Sequence, residues 1–306
     1  MTRPVRILVT GAGGQVGVDV LDALRGTTPL GGDALFQPDQ KLVREDEFEV
    51  LGLTRHDLDI TERDHTIHAV RSVRPDVIIH LAAYTQVDRA EVDRDACYAV
   101  NASATESLSL AAHDVDAHFI AISTDYVFDG TKGAAYIEDD ETNPLNVYGA
   151  SKRAGELACA SDDTIVRTSW VMGVRGKNVL HVIGDRATSG ATVRFVNDQT
   201  GTATFASDLA RVLVTMARQR PSGIWHIANS GTTTWFDIAA YAGSLLGRSD
   251  DFATPIATSD LSPAPLATRP VRSDLSTEKW VDAGFDALPD WRDGVARLLR
   301  DRVSTR

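Results

Sequence analysis

Cysteine is scarce in this chain: Cys97 and Cys159 are the only two in 306 residues. Two thiols so far apart make neither a disulfide framework nor a zinc site, so both read as small buried apolar side chains in a reducing compartment. Long apolar runs and low-complexity tracts are also missing, which sets aside a membrane-spanning helix. The opening "MTRPVRILVTGAGG" runs into a strand-like stretch without the basic segment, apolar core and cleavage site of a secretory signal, so a cytoplasmic location is expected. Positive charge is in the minority, 31 Lys and Arg against 43 Asp and Glu, for a formal net charge of −12. That balance argues against broad attraction to nucleic acid and leaves room for a local basic pocket for a small anionic metabolite. The eight histidines are scattered, with no close pair of the kind that holds a metal on a helix, and no catalytic metal is inferred.

What is present is a rhythm. Nearly continuous apolar runs at 6–10, 49–54, 77–81, 119–123 and 164–168 read as strands covered on both faces. Helical patterns fall between them at 15–25, 64–73, 100–113 and 150–159, which predicts an α/β fold with a doubly wound parallel sheet of Rossmann type. A Gly- and Pro-containing excursion, Gly26 to Glu47, separates the first helix from the second strand. After Thr168 the pattern loosens into strands at 193–196 and 224–228, helices at 205–217, 235–246 and 291–302, and an irregular stretch "ATPIATSDLSPAPLATRP". The expected division is a nucleotide-binding domain at 1–170 and 190–234 and a smaller substrate-binding region at 171–189 and 235–306.

"ILVTGAGGQVGVDVLDAL" sets Gly11, Gly14 and Gly17 between an apolar strand and an apolar-periodic helix. Glycines in that context permit a tight turn, close approach of backbone to phosphate and close packing of helix on sheet, while free N–H groups at the helix start hold an anion. A purely structural turn would use the same residues, and the flanking strand and helix favour dinucleotide binding. At the end of the second strand, where an acid would accept a free ribose 2′-hydroxyl, stand Thr54 and Arg55. An arginine there suits a 2′-phosphate and favours NADPH over NADH, although a solvated surface charge reads the same way. Asp59 and Ile60 follow on the adenine side, and Asp59 is equally suited to capping a helix.

Tyr148 and Lys152 in "NPLNVYGASKRAGE" are four residues apart, hence on one face of a helix. An adjacent ammonium and a helix start both stabilise phenolate, which makes Tyr148 a candidate general acid. Taken alone, the pair is also what two polar residues on an ordinary helix look like. The strand "HFIAISTDYVFDG" adds hydroxyls at the C-terminal edge of the sheet, where Thr124 beside the phenol would give a carbonyl oxygen two donors. Trp170 follows a strand and is either core or ligand-facing. Arg269, in the irregular stretch, is either a planar cation for a nucleotide pyrophosphate or an exposed surface charge.

With these blocks in order, together with "HLAAYTQVDRAE", "RTSWV", "NDQTG" and "ATRP", the sequence resembles the extended short-chain dehydrogenase/reductases, and within them the dTDP-4-dehydrorhamnose reductase family. The resemblance spans most of the chain. It implies NADPH-dependent reduction of a 4-keto sugar nucleotide, with Tyr148 as proton donor, Lys152 on the nicotinamide ribose and Thr124 on the keto oxygen. It further implies Gly13, Gly14, Gln15 and Val16 on the pyrophosphate, Ala82, Ala83 and Tyr84 along the middle of the cofactor, and Thr124, Asp125 and Trp170 facing the sugar. A magnesium ion and a homodimer come by resemblance only, without a ligand set. Departures from the family pattern are Ala203-Thr204 after "NDQTG", where Pro-Thr is usual, and "KNVL", where Asn-Phe is common. The alternatives are another nucleotide-sugar reductase or epimerase of the same superfamily, or a non-catalytic nucleotide-binding regulatory subunit like the partner of methionine adenosyltransferase.

Overall fold

A computed structural model describes residues 3–27, 43–44 and 46–304, the side chains of 301–304 excepted. Most of the early excursion, 28–42 and 45, lies outside the described residues. Six strands, β1 (Val5–Thr10), β2 (Phe48–Leu53), β3 (Val77–His80), β4 (His118–Thr124), β5 (Thr164–Thr168) and a late strand at Gly223–His226, form one parallel sheet. Its order is β2-β1-β3-β4-β5 and then the late strand, so the direction of winding reverses between β1 and β3. Ligands bind at that kind of crevice, outside the carboxyl ends of the strands. The register brings Thr10 opposite His80, and Thr124 opposite Thr168, at that edge.

The central strands are mostly apolar because helices cover both faces of the sheet. On one face α1 (Gln15–Leu24) packs with a long helix, Ala206–Gln219, around Ile7, Val9, Val20, Ile79 and Leu213. On the other, α2 (Arg63–Val73) and α5 (Ala104–His113) bury Leu8, Ile78, Leu108 and Phe119. Two short helices unforeseen from sequence, α3 (Val87–Ala90) and α4 (Arg94–Tyr98), lead through a π turn, Ala99–Ser103, into α5. The predicted helix start at residue 100 therefore falls inside the π turn. The helix carrying Tyr148 is α6 (Val147–Ala158).

A second cluster gathers β6 (Val171–Met172), α7 (Val179–Thr188), β7 (Val193–Val196) and the later α9 (Trp235–Leu245), β12 (Ala253–Ile256) and α11 (Trp291–Ser304) around Leu180, Phe205, Ile238, Phe252 and Trp291. Between them in the chain lie β8 (Thr200–Thr202), β9 (Thr204–Phe205), α8 (Ala206–Gln219), β10 (Gly223–His226) and β11 (Thr232–Thr234), and α10 (Glu278–Asp282) precedes α11. Two details differ from the expected division. β7, assigned from sequence to the nucleotide-binding part, pairs with β12 and not with the main sheet. Trp280 and Leu288, assigned to the substrate region, pack under the main sheet. The stretch expected to be irregular begins with β12, where Pro255 is tolerated because the sheet has only two strands and a missing N–H on its open edge goes unneeded.

Candidate active site

A continuous cavity of about 970 Å³ runs along the carboxyl edge of the sheet. Its floor is the glycine turn. Gly11 has a left-handed backbone, φ +69°, and a Cβ there would lie 2.5 Å from Ala82 N; a Cβ on Gly17 would lie 2.2 Å from Gly11 O. Glycine is what lets β1, the turn and the 82–84 segment close up. Gly14 caps α1 without a side-chain bond and no acid stands in the first turn, so no side chain takes up the first-turn N–H groups, and Gly14, Gln15, Val16 and Gly17 bring the positive end of the helix dipole to the cavity wall. A dinucleotide pyrophosphate fits this cradle.

Gly11, Gly13, Gly14, Gln15, Val16 and Gly17 all line the cavity, as do Arg55, Asp59 and Ile60 at one end and Ala82, Ala83 and Tyr84 in the middle. Arg55 is 85% exposed and meets Asp59 at 3.3 Å. Asp59 also accepts from Thr61 N and Oγ1, at 3.1 and 2.7 Å, in a local turn and not as the helix cap that was its other reading, since Glu62 is the N-cap of α2; these bonds hold its carboxyl below the usual range. Tyr84 is fixed through its backbone: its N–H donates to Asn101 Oδ1 at 2.9 Å and its carbonyl accepts from Asn101 Nδ2 at 3.0 Å. Asn101 sits in the π turn and also donates to Ser151 Oγ at 2.9 Å, tying the middle of the cavity to α6. Nothing in "AVNAS" signals that role, because it depends on where the π turn aims the side chain.

At the other end α6 begins under close control. Asn146 Oδ1 accepts from Gly149 N at 2.8 Å, its Nδ2 donates to Thr268 O at 2.8 Å, and Glu91 Oε1 accepts from Val147 N at 2.8 Å. Tyr148 thus lies in the first turn and Lys152 one turn later, both on the cavity wall with Thr124. Lys152 makes no hydrogen bond or ion pair among the described residues; burial lowers it to about 8, against the raising charge of Glu156. Glu156 is itself pinned by Arg167, at 2.8 Å to each carboxylate oxygen, and by Ser123 at 2.5 Å. The phenol departs from expectation. Enclosure pushes the Tyr148 pKa up, a hydrogen bond with Thr124 opposes this, and the Asp125 charge adds to the rise. The net direction is upward, so desolvation outweighs the pull that sequence reasoning assigned to its neighbours.

Asp125 is buried and lifted to about 7, accepting from Ser273 Oγ at 2.6 Å and Thr124 Oγ1 at 3.1 Å. Tyr126 stands edge-on to Tyr148 with ring centroids 6.0 Å apart. Trp170 lines the cavity with a left-handed backbone, φ +44°, and stacks on Trp235 with centroids 4.1 Å apart and planes 14° from parallel. Trp235 and Lys177 also line the cavity and escaped sequence reasoning, since both reach it from elements outside the β-α-β rhythm. Arg269 is the one predicted residue outside the lining. Its guanidinium grips Asp88 at 2.5 and 2.6 Å and holds that carboxyl down to about 2. Among the described residues, His113, Asp162 and Asp163 bring three donor atoms within 4.8 Å, and none of them lines the cavity.

A doubly wound sheet with a glycine-rich first turn, a Tyr-x-x-x-Lys helix and a hydroxyl strand end on one cavity defines the extended short-chain dehydrogenase/reductase class. Residues 5–304 match the model of the RmlD substrate binding domain family, and the chain belongs to that family. It is 37% identical to a dTDP-4-dehydrorhamnose reductase of Burkholderia thailandensis over 98% of this chain and 100% of the relative. A dTDP-4-keto-6-deoxy-D-glucose reductase of Streptomyces niveus is 35% identical over 96% of each chain. Among solved structures, the dTDP-4-dehydrorhamnose reductase of Bacillus anthracis in complex with NADP superposes with a TM-score of 0.84 at 30% identity, covering 97% of this chain and 99% of that one.

Proposed function

We propose that this chain reduces the C4 keto group of dTDP-4-dehydro-L-rhamnose to give dTDP-L-rhamnose, using NADPH. The observation that carries this is the continuity of one cavity from the phosphate cradle of α1 to Tyr148, Lys152 and Thr124. The similarity to reductases of 4-keto sugar nucleotides, one of them in complex with NADP, supports it. NADPH, when bound, supplies the hydride for C4. Tyr148 supplies the proton for the carbonyl oxygen; a phenol is protonated at neutral pH in any case, and the burial that raises its pKa makes it a weaker acid, which the positive charge of Lys152 offsets as phenolate forms. Thr124 donates a second hydrogen bond to that oxygen by turning its one hydroxyl proton away from Asp125. Lys152, charged below about pH 8, stabilises the phenolate left after proton transfer and holds the nicotinamide ribose.

Gly13, Gly14, Gln15 and Val16 hold the cofactor pyrophosphate, Arg55 the 2′-phosphate, Asp59 and Ile60 the adenine side, and Ala82, Ala83 and Tyr84 the span between. Asp125 and Trp170 face the sugar, with Trp235 backing Trp170. Arg269, held by Asp88, reaches the nucleotide pyrophosphate only by exchanging that carboxylate for phosphate. NADPH and sugar nucleotides are made in the cytoplasm, which is where this reaction would run.

The Streptomyces niveus relative favours a second reading, reduction of a different dTDP-4-keto-6-deoxy sugar. Following NADPH consumption with enzymatically generated dTDP-4-dehydro-L-rhamnose and dTDP-4-keto-6-deoxy-D-glucose separates the two. Higher kcat/KM for the first supports the primary reading, higher kcat/KM for the second replaces it, and no turnover of either removes both.

A further inference from the structure

Between β6 and α7 the chain crosses the start of α1 as a strap, residues 173–178. Gln15, the first residue of α1, is its anchor. Gln15 Nε2 donates to Val171 O at 3.0 Å, and Asn178 Nδ2 donates to Gln15 Oε1 at 3.1 Å and to Gly173 O at 2.6 Å. Gly176 lies so close that a Cβ on it would stand 3.2 Å from Gln15 Cβ, and its φ of +79° suits glycine alone. One turn further along α1, Arg175 Nη1 reaches Asp22 Oδ2 at 2.6 Å and Asp19 Oδ1 at 3.4 Å.

Arg175 is thus taken up by the acids of α1, while Lys177 is not. Lys177 is exposed, lines the cavity, and makes no hydrogen bond or ion pair among the described residues. The carboxylates that share the cavity wall are engaged elsewhere, Asp59 by Thr61 and Arg55, Asp125 by Ser273 and Thr124. A flexible ammonium beside the anion-holding start of a helix complements an anion, and the anion that the proposed reaction brings there is phosphate. The proposed reaction brings two pyrophosphates to this cavity, one in the dinucleotide and one in the sugar nucleotide. The anchoring of the strap on Gln15 favours the first.

We propose that Lys177 is a ligand of the dinucleotide pyrophosphate, carried over it on a strap that Gln15 and Arg175 pin to α1. This rests on the dinucleotide reading of the cavity. It adds to the backbone cradle a movable cation from the second cluster, so that cofactor binding couples the two parts of the molecule.

The test is direct binding, with no turnover involved: NADPH fluorescence titration, and calorimetric titration of dTDP, on the full chain. Lys177→Ala is expected to raise the NADPH Kd about tenfold, the scale of one charge-assisted hydrogen bond, and Lys177→Glu more. Lys177→Arg is expected to restore most of the affinity, and the gap between wild type and Lys177→Ala to narrow as salt screens the charge. Arg175→Ala, which frees the strap without touching the cavity lining, is expected to weaken NADPH by a smaller factor. The melting temperature of Lys177→Ala should match wild type because the side chain is exposed. Unchanged NADPH affinity in both the Ala and Glu variants overturns the proposal. So does a loss confined to dTDP, which assigns the charge to the other pyrophosphate. Wild type failing to bind NADPH at all refutes the dinucleotide reading itself, a result distinct from either.

Discussion

Asp19 is 1% exposed, and its Oδ2 has no hydrogen-bond partner among the described residues. Burial lifts its pKa from 3.8 to about 7, and only part of that cost is returned by Arg175 at 3.4 Å. The folded state therefore holds a proton that the unfolded chain releases near pH 4. Over the interval from about pH 4 to about pH 7 the native state binds more protons, so stability falls as pH rises, and above about pH 7 the loss is complete. At about 1.4 kcal/mol per pH unit, the gap between 3.8 and about 7 sets an upper bound of about 4 kcal/mol. Asp19→Asn keeps the shape and removes the charge. Chemical denaturation should show the variant equal to wild type near pH 4 and about 2–4 kcal/mol more stable near pH 8. If Asp19→Asn is the less stable protein near pH 8, the Asp19–Arg175–Asp22 cluster contributes more than the buried charge costs, and the reasoning fails.

Three other outcomes follow from the site. As pH rises through about 8 Lys152 loses its charge, so kcat/KM for reduction should decline across that range; a flat profile to about pH 9 would remove its electrostatic role. A Cβ at Gly201 would stand 2.8 Å from the Trp170 indole, so Gly201→Ala should displace Trp170 from Trp235 and raise the sugar-nucleotide KM several-fold while NADPH affinity holds; equal losses in both would point to general disruption. Arg55→Ala should weaken NADPH about tenfold and leave NADH unchanged, as separate titrations would show, and an unaltered ratio would end the 2′-phosphate argument.

The main sheet was legible in sequence because its strands are short, mostly apolar runs between helices, and 164–168 coincides with the structure to the residue, as does 193–196 in the separate β7–β12 pair. The site was legible where chemistry sits at strand ends and helix starts, as with Gly11, Thr124 and Tyr148. What escaped depends on partners distant in the chain. The Arg269 grip on Asp88 spans 181 residues, and the stack of Trp170 on Trp235 joins a strand end to a separate helix start. Helix α7 was hidden because its pattern follows the glycine-containing strap and serves the second cluster, outside the β-α-β rhythm. The direction of the Tyr148 pKa could not be read from spacing either, since desolvation comes from the whole cavity wall.

The central claim is that Tyr148 supplies the proton in reduction of a 4-keto sugar nucleotide. Its most direct measurement is single-turnover NADPH oxidation with dTDP-4-dehydro-L-rhamnose by wild type and Tyr148→Phe, with NADPH affinity measured alongside. The predicted result is a fall of about 10²–10⁴ in the chemical step with NADPH affinity nearly unchanged. Near-wild-type turnover by Tyr148→Phe would contradict it.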